Sequence, residues 1–187
     1  FDVESEQPVR GPDGLCIEAA PDEPGEAIGP ITGEPRQRFD GYNDEKQSKK
    51  KILTDVFAKG DKWFRTGDLF EIAGDEEPPR FYRFVGRIKQ IIIRGGVKIA
   101  PEELDTVLSQ MPGVLEGAVT GYRDEVMGER ICAVVVPRAG TTPTLEAVRG
   151  HFATTGLAIF KRPEKLLVID QLPRNSVGKI LRGDLAK

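Results

Sequence analysis

Between residues 101 and 137 the spacing of apolar positions changes period, and that change outlines a fold. Leu104, Val107, Leu108 and Met111 recur at i, i+3, i+4 and i+7, a stripe that a 3.6-residue turn gathers on one helix face. Pro101 suits the first turn of such a helix, where its missing N–H loses no partner. Glu102, Glu103 and Asp105 follow it, where the helix dipole favours acids, and Pro112-Gly113 stops the helix. Residues 114–122 and 130–137 then predict two strands joined by the polar stretch 123–129. Leu145, Val148 and Phe152 share a second helical face, with Thr142 and Pro143 expected at its cap and Gly156 at its end. A third strand is expected at 165–169, a turn at 173–178 and a short last helix from Lys179. Helix, two strands, helix, strand, helix is an α+β order, with a central antiparallel sheet and flanking helices.

Upstream the pattern is strand-like and broken. Residues 15–17 and 27–31 are brief apolar runs around a breaker-rich segment, and 43–51 is nearly all polar, ending in three lysines. A solvated loop or helix face is expected there. Gly60-Asp61 marks a turn, and Trp63-Phe64 begins a strand. The acidic, Pro-rich stretch 73–80 predicts a loop, and 81–85 a short aromatic strand. Ile91-Ile92-Ile93 and Val97-Lys98-Ile99 flank Arg94-Gly95-Gly96 as a compact hairpin.

Composition narrows the function classes. The 187 residues are 39% hydrophobic and 30% charged, ordinary for one domain or two small ones. Twenty-seven basic against 30 acidic side chains give a net charge of −3, so no basic face for nucleic acid is expected. No apolar run reaches the ~18 residues that span a bilayer. The chain opens without Met on a polar, acidic stretch, which predicts an excerpt of a longer polypeptide and no signal peptide. Cys16 and Cys132, each within an apolar stretch, are expected to be buried free thiols in a reducing compartment. The single His151 has no Cys or second His nearby, which argues against a metal site.

Three segments carry chemistry. In Phe64-Arg65-Thr66-Gly67-Asp68-Leu69, an Asp after Gly offers two acceptor oxygens that can hold a vicinal diol such as a ribose, or simply cap a turn. Gly86-Arg87-Ile88-Lys89 runs on toward Gly95-Gly96-Val97-Lys98-Ile99-Ala100-Pro101-Glu102-Glu103. There adjacent glycines allow either a plain hairpin turn or close approach of a ligand to backbone. In Leu172-Pro173-Arg174-Asn175-Ser176-Val177-Gly178-Lys179-Ile180-Leu181-Arg182, a Lys after Gly either starts a helix on the surface or projects into a site on another domain.

Together with Pro24-Gly25-Glu26 and Gly41-Tyr42, these ordered blocks resemble the adenylate-forming (AMP-binding) superfamily of acyl-CoA synthetases, peptide-synthetase adenylation domains and beetle luciferases. The resemblance covers essentially the whole chain. Residues 1–70 look like the fatty acid transport proteins, which are very-long-chain acyl-CoA synthetases. From Gly86 onward the chain looks more like medium-chain or aryl acid ligases.

The resemblance implies an α+β architecture in which residues 1–88 are the β-rich end of a large AMP-binding domain and 89–187 a small mobile domain. It implies an AMP-forming acid–thiol ligase that converts a carboxylate to acyl-AMP and then to a thioester, with ATP, Mg2+ and coenzyme A as substrates or cofactors. In these terms Asp68 binds the ribose, Arg87 lies beside the same nucleotide, Lys89 is the hinge, Gly95 and Gly96 line the pantetheine channel, and Lys179 is catalytic. The phosphate loop and acyl pocket would lie in an N-terminal domain of the same chain, so this portion alone is expected to be inactive. A cytoplasmic location is expected, with peripheral membrane association open for the full-length protein. The alternatives are an adenylation domain loading a carrier protein and a non-catalytic stand-alone module.

Overall fold

Four strands, β1 (Gly25–Pro30), β2 (Ile52–Thr54), β3 (Lys62–Ala73) and β4 (Phe81–Arg87), form one antiparallel sheet. The computed structural model describes residues 2, 5–21, 23–74 and 81–185. It divides into two compact units, Phe1–Lys89 and Gln90–Lys187. In the first, the long β3 pairs along one edge with β1, while β2 and β4 follow one another along its other edge. The polar run 43–51 contains helix α1 (Glu45–Lys50), capped by the Asp44 carboxylate on the N–H groups of Lys46 and Gln47. The apolar run 15–17 forms no strand: Cys16 makes an isolated bridge with Arg10 and donates its N–H to Val56 O at 2.8 Å, and it is half-buried rather than buried. Of the loop expected at 73–80, Ala73 still belongs to β3, and 75–80 lie outside the described residues.

The turn at Gly60-Asp61 is built by the aspartate. Its carboxylate accepts the N–H groups of Val56, Phe57 and Ala58 at 2.6, 2.9 and 3.0 Å, and the Trp63 indole at 2.9 Å. Desolvation pushes this carboxyl upward, but the bonds from Val56, Phe57, Trp63 and Ala58 prevail and hold its pKa at about 2.

The second unit contains β5 (Ile92–Arg94), β6 (Val97–Ile99), α2 (Pro101–Ser109), β7 (Val114–Asp124), β8 (Gly128–Pro137), α3 (Leu145–Ala153), β9 (Lys165–Val168) and α4 (Arg182–Leu185). β8 is its axis, with β7 antiparallel on one edge and β9 and then β5 on the other. The continuous apolar run of β8 is explained by burial on both faces. Ile131, Ala133 and Val135 pack with Leu104 and Leu108 of α2 and Val148 and Phe152 of α3. Cys132, Val134 and Val136 pack on the opposite side with Leu172 and Leu185 from the chain's last segment. Helix α2 lies close over β7 because residue 117 is glycine. A Cβ there would stand 2.7 Å from Leu108 Cδ2 and 2.8 Å from its Cγ.

Three expectations are corrected. β9 runs parallel to β8, not antiparallel, because the connection through α3 returns the chain to the end from which β8 started. The cap of α3 is Thr144, whose hydroxyl accepts the Ala147 N–H at 3.2 Å, and the helix ends at Ala153, before Gly156. Pro143 is buried just ahead of it, and Thr142 stands two residues before the cap, too early to reach an orphan N–H. The final helix starts at Arg182 rather than Lys179. Lys179 is held in the preceding turn by Asn175, and Ile180 pairs with Arg174.

Candidate functional site

In the first unit the chemistry sits on a bulge of β3. The pairing of β1 with β3 steps from Glu26↔Leu69 to Ile28↔Arg65, so Thr66, Gly67 and Asp68 together face the single residue Ala27. Gly67 takes φ +80°, a left-handed conformation that a side chain would strain. The Thr66 hydroxyl donates to Ala27 O at 2.6 Å and accepts the Asp68 N–H at 3.1 Å. On the other edge of β3, Asp68 pairs across the strands with Arg87, and Arg87 Nε stands 3.0 Å from Asp68 Oδ1. That contact is an ion pair without the alignment of a hydrogen bond, and Oδ1, though shielded from water, has no aligned donor among the described residues. The Arg87 side chain is 48% exposed. With 26% of the Asp68 side chain exposed, the pair presents the open part of a carboxylate to hydroxyl donors and, beside it, a planar cation suited to an anion.

Two residues that the sequence reading did not single out hold this bulge. Glu26, with a side chain only 4% exposed, forms an ion pair with Arg65 at 2.9 Å and accepts the Gly67 N–H at 3.0 Å. Lys51, last of the three lysines read as solvated, donates to Arg65 O at 3.1 Å and Thr66 O at 3.2 Å, with its ammonium 5.6 Å from the Phe64 ring centre. The signal for Glu26 lay within Pro24-Gly25-Glu26. Nothing in the spacing distinguished Lys51 from its neighbours.

Lys89 lies exposed in a 3-10 turn, Ile88–Gln90, at the end of the first unit. In the second unit Gly95 and Gly96 form the two-residue turn of the β5–β6 hairpin, at φ +56° and +79°. Both positive angles are what a primed hairpin turn demands. The turn is tied to the β7–β8 loop by Gly95 N–H to Met127 O at 2.8 Å, and a Cβ on Gly95 would meet Met127 Cε at 2.8 Å. At its base, Arg94 and Arg130 share the Glu164 carboxylate at 2.9 and 2.8 Å, and hydrogen bonding from Arg94 holds that carboxyl below its ordinary range.

Lys179 sits on another loop of this unit. Asn175 shapes that loop: its side-chain oxygen accepts the N–H of Val177 at 3.1 Å and of Lys179 at 2.9 Å, while its own N–H donates to Lys179 O at 2.9 Å. Arg174 closes the turn onto Gly178 O at 2.8 Å and anchors it to Glu116 at 2.9 Å. Downstream, Arg182 pairs with Asp105 of α2 and donates to Val119 O at 2.6 Å, fixing the segment to the sheet. The Lys179 side chain is exposed, and its ammonium has no ion-pair partner among the described residues. The structure therefore brings Asp68 and Arg87 together in the first unit and presents Gly95-Gly96 and Lys179 on separate loops of the second.

Among the described residues, no group of three or more His, Cys, Asp or Glu could hold a metal ion. No described helix is long and apolar enough to cross a membrane, which says nothing of a β-barrel.

Known proteins give this geometry a context. Residues 103–179 match the AMP-binding enzyme C-terminal domain. The chain is 42% identical over 125 residues to oxalate–CoA ligase of Arabidopsis thaliana, covering 67% of the chain and 23% of that protein. It is 36% identical over 174 residues to a long-chain-fatty-acid–CoA ligase of Mycobacterium tuberculosis, covering 93% and 31%. Among solved structures, o-succinylbenzoate CoA synthetase of Bacillus subtilis, in complex with its acyl-adenylate intermediate, superposes with a TM-score of 0.72 at 29% identity, covering 95% of this chain and 33% of that one. The chain thus spans between 23% and 33% of the length of these relatives. At residues 103–179 the chain is thus similar to the C-terminal domain of AMP-binding enzymes, and over most of its length to coenzyme A ligases.

Proposed function

We propose that this chain is the C-terminal portion of an AMP-forming acid–CoA ligase, with the first unit closing the large domain and the second forming the small one. The observation that carries this reading is the Asp68–Arg87 pair, 3.0 Å apart on adjacent strands, with both side chains partly open to solvent. The open part of the Asp68 carboxylate, whose side chain is 26% exposed, suits a ribose hydroxyl, and the half-exposed guanidinium beside it suits the phosphate of the same nucleotide. The relatives carry coenzyme A ligation in their names, and the B. subtilis enzyme is known both with its acyl-adenylate and with ATP and magnesium. Among the described residues, no group of three or more His, Cys, Asp or Glu offers magnesium a site.

In this reading Lys179 is the catalytic cation of the first half-reaction. It stands between the carboxylate and the α-phosphate, where it offsets charge that builds as the acyl–phosphate bond forms and pyrophosphate leaves. Its turn is shaped in advance by Asn175, so little ordering is needed when it enters the site. Lys89, on a 3-10 turn where the two compact units meet in sequence, is the pivot that removes Lys179 before thioester formation. Gly95 and Gly96 then leave room for the pantetheine arm to pass close to backbone.

The test separates the half-reactions in the complete ligase. Lys179→Ala is expected to lower acyl-AMP formation, read by pyrophosphate exchange, by about 10²-fold or more, while thioester formation from supplied acyl-AMP and coenzyme A is kept. Equal loss of both steps would remove Lys179 from this role.

A further inference from the structure

The peptide plane between Thr66 and Gly67 is held at both poles by opposite charges. Its carbonyl oxygen accepts from Lys51 Nζ at 3.2 Å, and its N–H donates to Glu26 Oε1 at 3.0 Å. Lys51 also takes the carbonyl of the preceding residue, Arg65, at 3.1 Å. Glu26 in turn is fixed by the Arg65 guanidinium, Nε at 3.0 Å and Nη2 at 2.9 Å from Oε2. Both charges therefore act on the backbone immediately ahead of Asp68. Rotation of this plane changes ψ of Thr66 and φ of Gly67, the two angles that swing the Asp68 carboxylate relative to β4. Gly67 resists nothing by itself, because glycine populates both halves of φ space. The opposed charges add to the restraint that the Thr66 hydroxyl gives through Ala27 O and the Asp68 N–H, and they act through hydrogen bonds stronger than those between neutral groups.

We propose that Glu26 and Lys51 are positioning residues that aim Asp68 at the nucleotide ribose by clamping the Thr66–Gly67 peptide. The inference rests on the assignment of Asp68 to the ribose made above. It predicts a specific defect: without the clamp the enzyme loses its ability to tell a ribose from a deoxyribose, since that preference depends on where one carboxylate points.

The experiment compares kcat/KM for ATP with that for 2′-deoxy-ATP and 3′-deoxy-ATP in pyrophosphate exchange by the complete ligase. The variants are Asp68→Ala, Glu26→Gln, Lys51→Met and Lys51→Arg. Asp68→Ala is expected to abolish the preference for ATP. Glu26→Gln and Lys51→Met are each expected to reduce it about tenfold, the value of a hydrogen bond to a charged group, with the loss appearing in KM for ATP. Lys51→Arg keeps a cation against the two carbonyls and retains the preference, which a general loss of structure would not allow. Should Glu26→Gln fail to fold, the Met and Arg variants at Lys51 decide alone. An undiminished preference in Lys51→Met, with Asp68→Ala still abolishing it, overturns the clamp and leaves the proposed function standing. Equal loss in Lys51→Met and Lys51→Arg also overturns it. A preference that survives Asp68→Ala removes the ribose assignment and the clamp with it.

Discussion

The close approach of α2 to β7 over Gly117 can be tested by filling the space and by emptying it. Leu108 is fully buried, and a methyl on residue 117 would stand 2.7 and 2.8 Å from its Cδ2 and Cγ, distances that real side chains do not tolerate. The φ of Gly117 is not positive, so alanine suits the backbone and gains about 0.4–1 kcal/mol from the unfolded state. Overpacking costs about 1–3 kcal/mol, because Leu108 must leave its rotamer or α2 must lift. Gly117→Ala is therefore expected to destabilise by about 1–2 kcal/mol net. Leu108→Ala alone leaves a cavity and costs about 2–5 kcal/mol. In the double variant the new methyl enters that cavity, and the cost should fall short of the sum by about 1–2 kcal/mol. The measurement is native-state hydrogen exchange of the β8 amides from Ile131 to Val135, whose slowest opening reports this unit. Additivity within about 0.5 kcal/mol would mean that the helix does not rest on the strand at Gly117, and the packing argument would be lost.

Two further outcomes follow from the electrostatics and the turns. The Asp61 carboxyl titrates at about 2 in the folded chain against an ordinary 3.8, so on acidification the unfolded chain takes its proton first. The stability it contributes is complete above 3.8 and is lost as pH falls toward 2. Asp61→Asn should flatten this acid limb in urea unfolding followed by Trp63 fluorescence, and an unchanged limb would refute the assignment. In the lysine turn, Asn175→Ala removes the acceptor of the Val177 and Lys179 N–H groups. Their exchange should quicken about fivefold, near the value of one exposed hydrogen bond, and unaltered rates would show that the side chain does not shape the loop.

Periodicity makes some elements of this fold plain and leaves others hidden. The β5–β6 hairpin is legible because adjacent glycines suit both positive-φ positions, and α2 because Leu104 and Leu108 mark one face. The direction of β9 is not legible, since four apolar residues look alike in either orientation and only the α3 connection decides. The start of the last helix is misread because Lys179 follows a glycine in a form that resembles a cap, whereas the Asn175 side chain keeps that residue in the turn. At the site, Asp68 and Arg87 stand out as members of separate motifs, but their pairing is a matter of strand register. Lys51 is hidden for a similar reason: among three lysines in a row, only the fold selects the one that reaches Thr66 O.

The loop between Arg174 and Ile180 uses Val177 only through its N–H, and the side chain is 83% exposed. That position is free to accept a foreign group without disturbing the bonds that shape the loop. A cysteine placed there and derivatised with a spin label would sit two residues from Lys179, giving a distance probe for the lysine's travel that leaves the lysine itself untouched.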